Sequence, residues 1–362
     1  PGSDAFVSTP AGFCVSSVGA CAAGDSSCDV FVRADEPFDL SITAVGWQSD
    51  TDTDLCDANP VTPNFRMLTV PIASELVAPS GGVNGTVSPS SYSHSRSLDA
   101  TETVSVKMSE VGVFRFTATP VTGGYLGKTV PKGTSAPTGR FYPDRFNVTI
   151  DEGALGAHCG APTPFNYTGQ DISWLLAPTL TIEALSMDGA RTRNYTEPGF
   201  QKLVKEDVIR TFPVEDSSAV NRENEGIEVS TNVSAGELDA AEPESGLLQF
   251  NYGAGDTVRY LKVPEARVAP LTPPPSPPGL PGPSNHLLTY GVTDITDADG
   301  VSADDAPYKF SPAATFDIRF GRLSMDNVYG PENVQELRMP FRLEYWNGSR
   351  YVTNTADNCT SW

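Results

Sequence analysis

Two stretches of the sequence repeat one skeleton. The first opens Pro10-Ala11-Gly12-Phe13-Cys14-Val15 and reaches Cys28, then runs through Leu40-Ser41-Ile42-Thr43-Ala44-Val45 to Thr62-Pro63-Asn64-Phe65. The second opens Pro143-Asp144-Arg145-Phe146-Asn147-Val148 and reaches Cys159, then runs through Leu180-Thr181-Ile182-Glu183-Ala184-Leu185 to Thr192-Arg193-Asn194-Tyr195. The shared pattern is Pro-x-x-Phe-x-Val, a Cys, Leu-[Ser/Thr]-Ile-x-Ala, then Thr-x-Asn-aromatic. Alternating apolar residues bounded by Gly, Pro, Asn and Asp mark half-buried strands and their turns. A duplicated β unit predicts an all-β chain of tandem immunoglobulin-like β-sandwich modules. Phe13 and Phe146, Ile42 and Ile182, and Phe65 and Tyr195 are then equivalent core positions.

The pattern divides the chain into a first module over 1–139 and a second over 140–264. Within the first, Thr103–Met108 and Gly112–Ala118 alternate as strands, and Pro79–Asp99 is expected as a long surface loop. Leu247–Tyr252 and Val258–Val263 are the expected closing strands of the second module. One short segment, Phe200–Ile209, has a helical look. The proline-dense run from Pro270 to Pro283 fixes φ and lacks N–H donors, so 265–285 reads as an extended linker. The remainder, 286–362, is strand-rich and too short to stand alone. Its clearest signal is Asn347-Gly348 between the alternating runs Phe341–Trp346 and Ser349–Asn354, a hairpin cue.

A net charge of −21 repels phosphate backbones and anionic headgroups, which argues against nucleic-acid and membrane-surface partners. No run of 18 apolar residues exists to span a bilayer. Six cysteines, Cys14, Cys21, Cys28, Cys56, Cys159 and Cys359, form an even set with no Cys-x-x-Cys pair. Zinc and redox sites want such pairs, so the set reads as structural disulfides of a secreted protein. Four fall in the first module, where three connectivities are open, and elimination pairs Cys159 with Cys359. No signal peptide precedes Pro1, and the chain stops just after Cys359, so a longer parent is expected.

The phrases Gly139-Arg140-Phe141-Tyr142-Pro143-Asp144-Arg145-Phe146, Arg319-Phe320-Gly321-Arg322-Leu323, Asn327-Val328-Tyr329-Gly330 and Tyr345-Trp346-Asn347-Gly348 fall in fixed order. Together with Thr353-Asn354-Thr355-Ala356-Asp357-Asn358-Cys359-Thr360 they resemble the MshQ-type protein family, associated with the mannose-sensitive haemagglutinin type IV pilus. The match runs from about Phe6 to the chain end. The resemblance implies an exported protein at the cell surface of a Gram-negative bacterium, without catalytic residues, that helps build or present surface filaments. A lectin-like domain often found upstream in that family is absent from this sequence.

Candidate chemistry is sparse. His94, His158 and His286 sit in loop-like contexts, and no Gly-x-Ser-x-Gly, His-Glu-x-x-His or phosphate loop occurs. No particular carboxylate pair is singled out for glycoside hydrolysis. The expected chain is not an enzyme. Asp294, Asp297, Asp299, Asp304 and Asp305 form an Asp-x-Asp-Gly-type run that could supply calcium oxygens, although the bidentate Glu of an EF-hand is missing. Asp50, Asp52, Asp54 and Asp57 form a second acidic run. Seven Asn-x-Ser/Thr sequons occur, at Asn84, Asn147, Asn166, Asn194, Asn232, Asn347 and Asn358, and a bacterial setting makes them incidental. Trp47, Trp174, Tyr345, Trp346 and Tyr351 could form a sugar-stacking platform, yet alternating strand aromatics are more often core.

These readings converge on a non-catalytic extracellular scaffold or adhesin. Its expected partners are pilin, other filament subunits or copies of itself. A calcium-assisted module binding surface glycans is the alternative. The segment from Asn327 to Asn354 is expected to complete its sheet by β-strand addition from the parent chain or another subunit.

Overall fold

The computed structural model describes residues 7–211, 227–241, 245–262, 289–314, 316–333, 336–347 and 350–361. Among them the only helical pieces are two 3-10 turns, Arg193–Thr196 and Lys205–Asp207; the fold is all-β.

In the first module one sheet runs, in spatial order, Gly12–Ser16, Phe38–Val45, Thr101–Met108 and Val87–Ser88. The facing sheet runs Ser91–His94, Met67–Ala78, Gly112–Ala118 and Gly133–Thr134, with Thr138–Phe141 also on the Gly112–Ala118 strand. Strands alternate between sheets as they do in an immunoglobulin-type sandwich. The Phe38–Val45 strand shows why it forms: Phe38, Leu40, Ile42 and Ala44 point inward while Asp39 faces water. Fully burying a Phe or Leu in such a layer contributes about 1.5–3 kcal/mol. Pro79–Asp99, expected as a bare loop, contributes two of the short strands.

The second module repeats the first sheet strand for strand, as Arg145–Asp151, Thr179–Leu185, Leu247–Asn251 and Glu237–Ala240. Register repeats too. Phe13 lies opposite Ala44 and Val15 opposite Ile42; Phe146 lies opposite Ala184 and Val148 opposite Ile182. Phe65 meets Phe13 with ring centroids 5.4 Å apart, and Tyr195 meets Phe146 at 5.4 Å. The equivalences expected from the skeleton hold in space.

The far side of the second module departs from expectation. Its second layer includes Val208–Thr211 paired with Tyr290–Ile295, which pairs with Tyr308–Phe310. Ala313–Ala314 lies beside Ala154–Leu155, and Asp317–Arg319 beside Phe165–Tyr167, both in parallel. Residues 290–319, assigned from sequence to a separate closing unit, are strands of the second module. The proline tract lies outside the described residues, but the strands on either side of it, Thr257–Lys262 and Tyr290–Ile295, both belong to this module. It interrupts one module rather than linking two. Phe200–Ile209 gives only the Lys205–Asp207 turn before Val208–Thr211 enters its sheet. Phe200, Leu203 and Val208 are all buried in the core, and ten residues are too few to sustain a helix against that pull.

A three-stranded sheet closes the chain, with Phe341–Trp346 between Gly321–Met325 and Tyr351–Thr353. The Asn347 N–H donates to the Arg350 carbonyl at 3.1 Å, and the Arg350 N–H to the Asn347 side chain at 3.0 Å. Gly348 lies outside the described residues. Phe341–Trp346 is therefore flanked on both sides by its own chain, which removes the need for strand addition at that strand.

Candidate functional site

The two modules meet in a buried polar joint. Glu110, just past the Thr101–Met108 strand, is 5% exposed. Its carboxylate accepts the N–H groups of Val111 and Asn194 on one oxygen, at 2.9 and 3.1 Å, and that of Arg193 on the other, at 3.0 Å. Burial pushes this carboxyl up to about 7, against the opposing pull of those three donors. The Asn194 side chain returns the contact: it accepts the Val83 N–H at 2.7 Å and donates to the carbonyls of Val83 and Val111, both at 2.9 Å.

Next along the chain, the Tyr195 hydroxyl donates to Asp297 at 2.7 Å and accepts the Leu203 N–H at 3.0 Å. The other Asp297 oxygen accepts the N–H groups of Asp299 and Val301, both at 2.9 Å, around Gly300, whose φ of +80° is the left-handed conformation that favours glycine. Burial raises the Asp297 carboxyl, the Tyr195 hydroxyl and the two N–H groups lowering it in part. Asp299 then takes both terminal nitrogens of Arg140 at 2.5 and 2.7 Å, while Arg140 Nε donates to the Cys28 carbonyl at 2.9 Å. Arg145 pairs with Asp304 at 2.7 Å, and Lys107 with Asp188 at 2.9 Å.

This joint occupies most of the carboxylates expected to bind calcium. Asp297 is turned inward to Tyr195, Asp299 to Arg140, and Asp304 to Arg145. Asp294 is exposed and accepts the Thr296 hydroxyl at 2.8 Å; Asp305 is exposed with φ 60°. Among the described residues the one group of three metal-ligating side chains is Cys159, Asp357 and Cys359, and both sulfurs are already in a disulfide. In the first acidic run Asp52 and Asp54 accept the N–H groups of Asp54 and Cys56, closing local turns.

Three disulfides form: Cys14–Cys56, Cys21–Cys28 and Cys159–Cys359. The last ties the closing sheet to the second module. A polar network lies beside it. Arg319 donates to the Asn354 side chain at 2.7 Å, Asn354 to the Tyr167 hydroxyl at 2.6 Å, and Tyr167 to Asp357 at 2.8 Å. The Arg319 guanidinium also lies over the Phe165 and Tyr345 rings, at 4.3 and 4.8 Å.

The other sequence candidates scatter. Trp47 is exposed and Trp174 packs on Tyr252 and Tyr290. Trp346 packs on Tyr351, which also meets the Phe320 ring at 6.4 Å and the Arg322 guanidinium at 3.6 Å. Tyr345 and Trp346 are thus each covered on their own side of the sheet. His94 is buried against Phe13 and Phe65, His158 is exposed beside a disulfide-bonded Cys159, and His286 lies outside the described residues. Two sequon asparagines, Asn166 and Asn194, are fully buried and cannot carry a glycan. Sequence reasoning missed Glu110, Arg140 and Asn194 at the joint, and Tyr167 and Arg319 in the network beside the Cys159–Cys359 bridge. Asn194 was visible only as a sequon and as a repeat position, and Arg140 only as part of a family phrase.

A repeated sandwich fused through buried polar contacts is a tandem β-domain protein. Comparison with known families narrows this. The model for DUF6701, third domain, matches residues 110–320, the second domain matches 9–105 and the fourth 319–362. The chain belongs to the DUF6701 family. No curated protein matches it. Among solved structures, the crystal structure of invasin, described as a bacterial integrin-binding protein, aligns at 10% identity and a TM-score of 0.28. That alignment covers 94% of this chain and 57% of the invasin chain; a likeness so weak carries no argument about fold or function.

Proposed function

We propose that this chain is a non-catalytic, rigid segment of an exported cell-surface protein, holding its far end at a fixed distance and angle from its anchor. The observation that carries this is the joint from Glu110 through Asn194, Tyr195, Asp297 and Asp299 to Arg140. It converts two sandwiches into one body. Removing either partner of the buried Arg140–Asp299 pair costs about 3–5 kcal/mol, so bending at the joint is expensive. Three disulfides and a charge of −21 fit an oxidising, extracellular setting. No described helix is long and apolar enough to cross a membrane, which says nothing of a β-barrel. The resemblance to MshQ-type proteins supports a type IV pilus or similar filament as the assembly served, with pilin or other filament subunits as partners.

Small-angle scattering on the purified chain tests the mechanical half. A single distance distribution is expected for the wild type, broadening in Asp299→Ala; a broad distribution in both would end the rigid-body reading. Surface labelling, pilus counts and attachment of cells lacking the gene test the other half. Calcium has no part in this reading, and chelation with EDTA is expected to leave the melting temperature unchanged.

A further inference from the structure

The end of the first module away from the joint carries a groove of about 770 Å³. The Phe38–Val45 and Thr101–Met108 strands set its position. Their joint ends lie near Asp35 and Met108, and their outer ends near Val45 and Thr101. The groove lies across the Met67–Ala78 and Ser91–His94 strands, where pairing slips between Met67 and Val70 opposite Tyr92 to His94. Its charged lining residues are Arg66 and Arg96, and Glu102 stands at its edge, accepting the Ser95 N–H at 2.8 Å. In so acidic a chain that inverts the prevailing sign. Nine other arginines form ion pairs, whereas Arg66 and Arg96 form none among the described residues.

The rest of the lining has a distinct character. Thr69, Ser93 and Ser95 are exposed and offer hydroxyls; Leu68, 89% exposed, and Val121, 49% exposed, offer an apolar wall. The His94 ring, 1% exposed, also borders the groove. Its Nδ1 meets the Tyr92 hydroxyl at 3.1 Å, and its Nε2 makes no hydrogen bond of ordinary geometry. A long polyanion would meet the negative surface beyond the groove, but a short ligand with one carboxylate feels mainly charges within a Debye length of about 8–10 Å. Guanidinium pairs, several hydroxyls and a small apolar wall match a ring that bears one acid, many hydroxyls and an aliphatic face. An acidic peptide would pair with the guanidiniums but offers one backbone donor and one acceptor per residue, a sparser match to three neighbouring hydroxyls than a sugar ring.

We propose that this groove binds a carboxylate-bearing saccharide, with Arg66 and Arg96 on the acid, Thr69, Ser93 and Ser95 on the ring hydroxyls, and Leu68 and Val121 against its apolar face. It extends the rigid-segment reading by naming what the far end touches, and its failure would leave that reading standing. Titration calorimetry on the full chain tests it. The probes are a sialylated trisaccharide, its unsialylated disaccharide, a trigalacturonate and an octaglutamate peptide. At least one acidic saccharide is expected to bind at least tenfold more tightly than the neutral one, and to weaken as salt rises. Arg66→Gln with Arg96→Gln is expected to remove at least tenfold of that affinity with melting unchanged, while Arg115→Gln, an exposed strand position outside the groove, has no effect. Equal binding of neutral and acidic sugars, no saccharide binding, or binding of octaglutamate alone overturns the proposal. So does salt-insensitive binding by the wild type, a measurement that stands even if the double variant fails to fold.

Discussion

The corners Thr62–Phe65 and Thr192–Tyr195 hold the same place in the two modules and share one fastening. The Thr62 N–H and hydroxyl both donate to the Ala44 carbonyl at 2.9 Å; the Thr192 N–H and hydroxyl donate to the Ala184 carbonyl at 2.9 and 3.1 Å. From there they diverge. Asn64 is exposed, whereas Asn194 is buried in three hydrogen bonds to the first module. Phe65 only packs, whereas Tyr195 packs on Phe146 and also carries a hydroxyl to Asp297. One corner closes a sandwich; its copy closes a sandwich and builds the joint. Duplication supplied the frame, and the same Asn amide turned onto the first module, with one added hydroxyl beside it, made it a connection.

The comparison breaks first at the shared core. Phe13→Ala and Phe146→Ala should each cost about 3–5 kcal/mol in denaturant unfolding, and unequal losses would deny the equivalence. The next largest contrast is between the asparagines. Asn194→Ala leaves the buried Val111 carbonyl without its partner, at about 1–3 kcal/mol, and frees the partly exposed Val83 N–H and carbonyl at smaller cost, while Asn64→Ala should stay within about 0.5 kcal/mol.

The Glu110 carboxyl gives a pH signature that the first corner lacks. Its pKa is raised in the folded chain from the ordinary 4.5 to about 7, so the native state holds this proton more tightly than the unfolded chain does. Its favourable contribution is complete below about pH 4.5 and fades as pH rises through 7, a loss on the order of 3 kcal/mol. Melting curves between pH 4.5 and 8 should show the decline, and Glu110→Gln should flatten it. Smallest is Tyr195→Phe, which rewrites the second corner as the first. It should cost about 1–2 kcal/mol and broaden the scattering profile without unfolding either sandwich.

The duplicated sheet was legible because alternation and a fixed Phe-x-Val to Ile-x-Ala pairing leave a direct trace in sequence. The second layer of the second module was not, because Val208–Thr211 and its partner Tyr290–Ile295 are separated by a long stretch containing the proline tract. That composition reads as a boundary wherever it falls. The acidic run from Asp294 to Asp305 was legible as a turn rich in carboxylates, but the protein partners that three of them take were not. Asp297-Ala298-Asp299-Gly300 describes a tight turn with inward carboxylates equally well for a cation or for protein partners. Tyr195, Arg140 and Arg145, which those carboxylates meet, lie far away in sequence. Glu110 left no trace at all, since a single Glu after a strand is ordinary until its three backbone donors arrive from two modules.

The Cys159–Cys359 bridge changes how this chain bears a pull. Tension entering from beyond Cys359 crosses the sulfur–sulfur bond to Cys159 and continues toward the first module, bypassing the 200 positions of sequence separation enclosed between them. The closing sheet and the described strands of the second sandwich from Phe165 onward lie inside that covalent loop. They can yield or rearrange without lengthening the molecule, and only a reductant would put them under load.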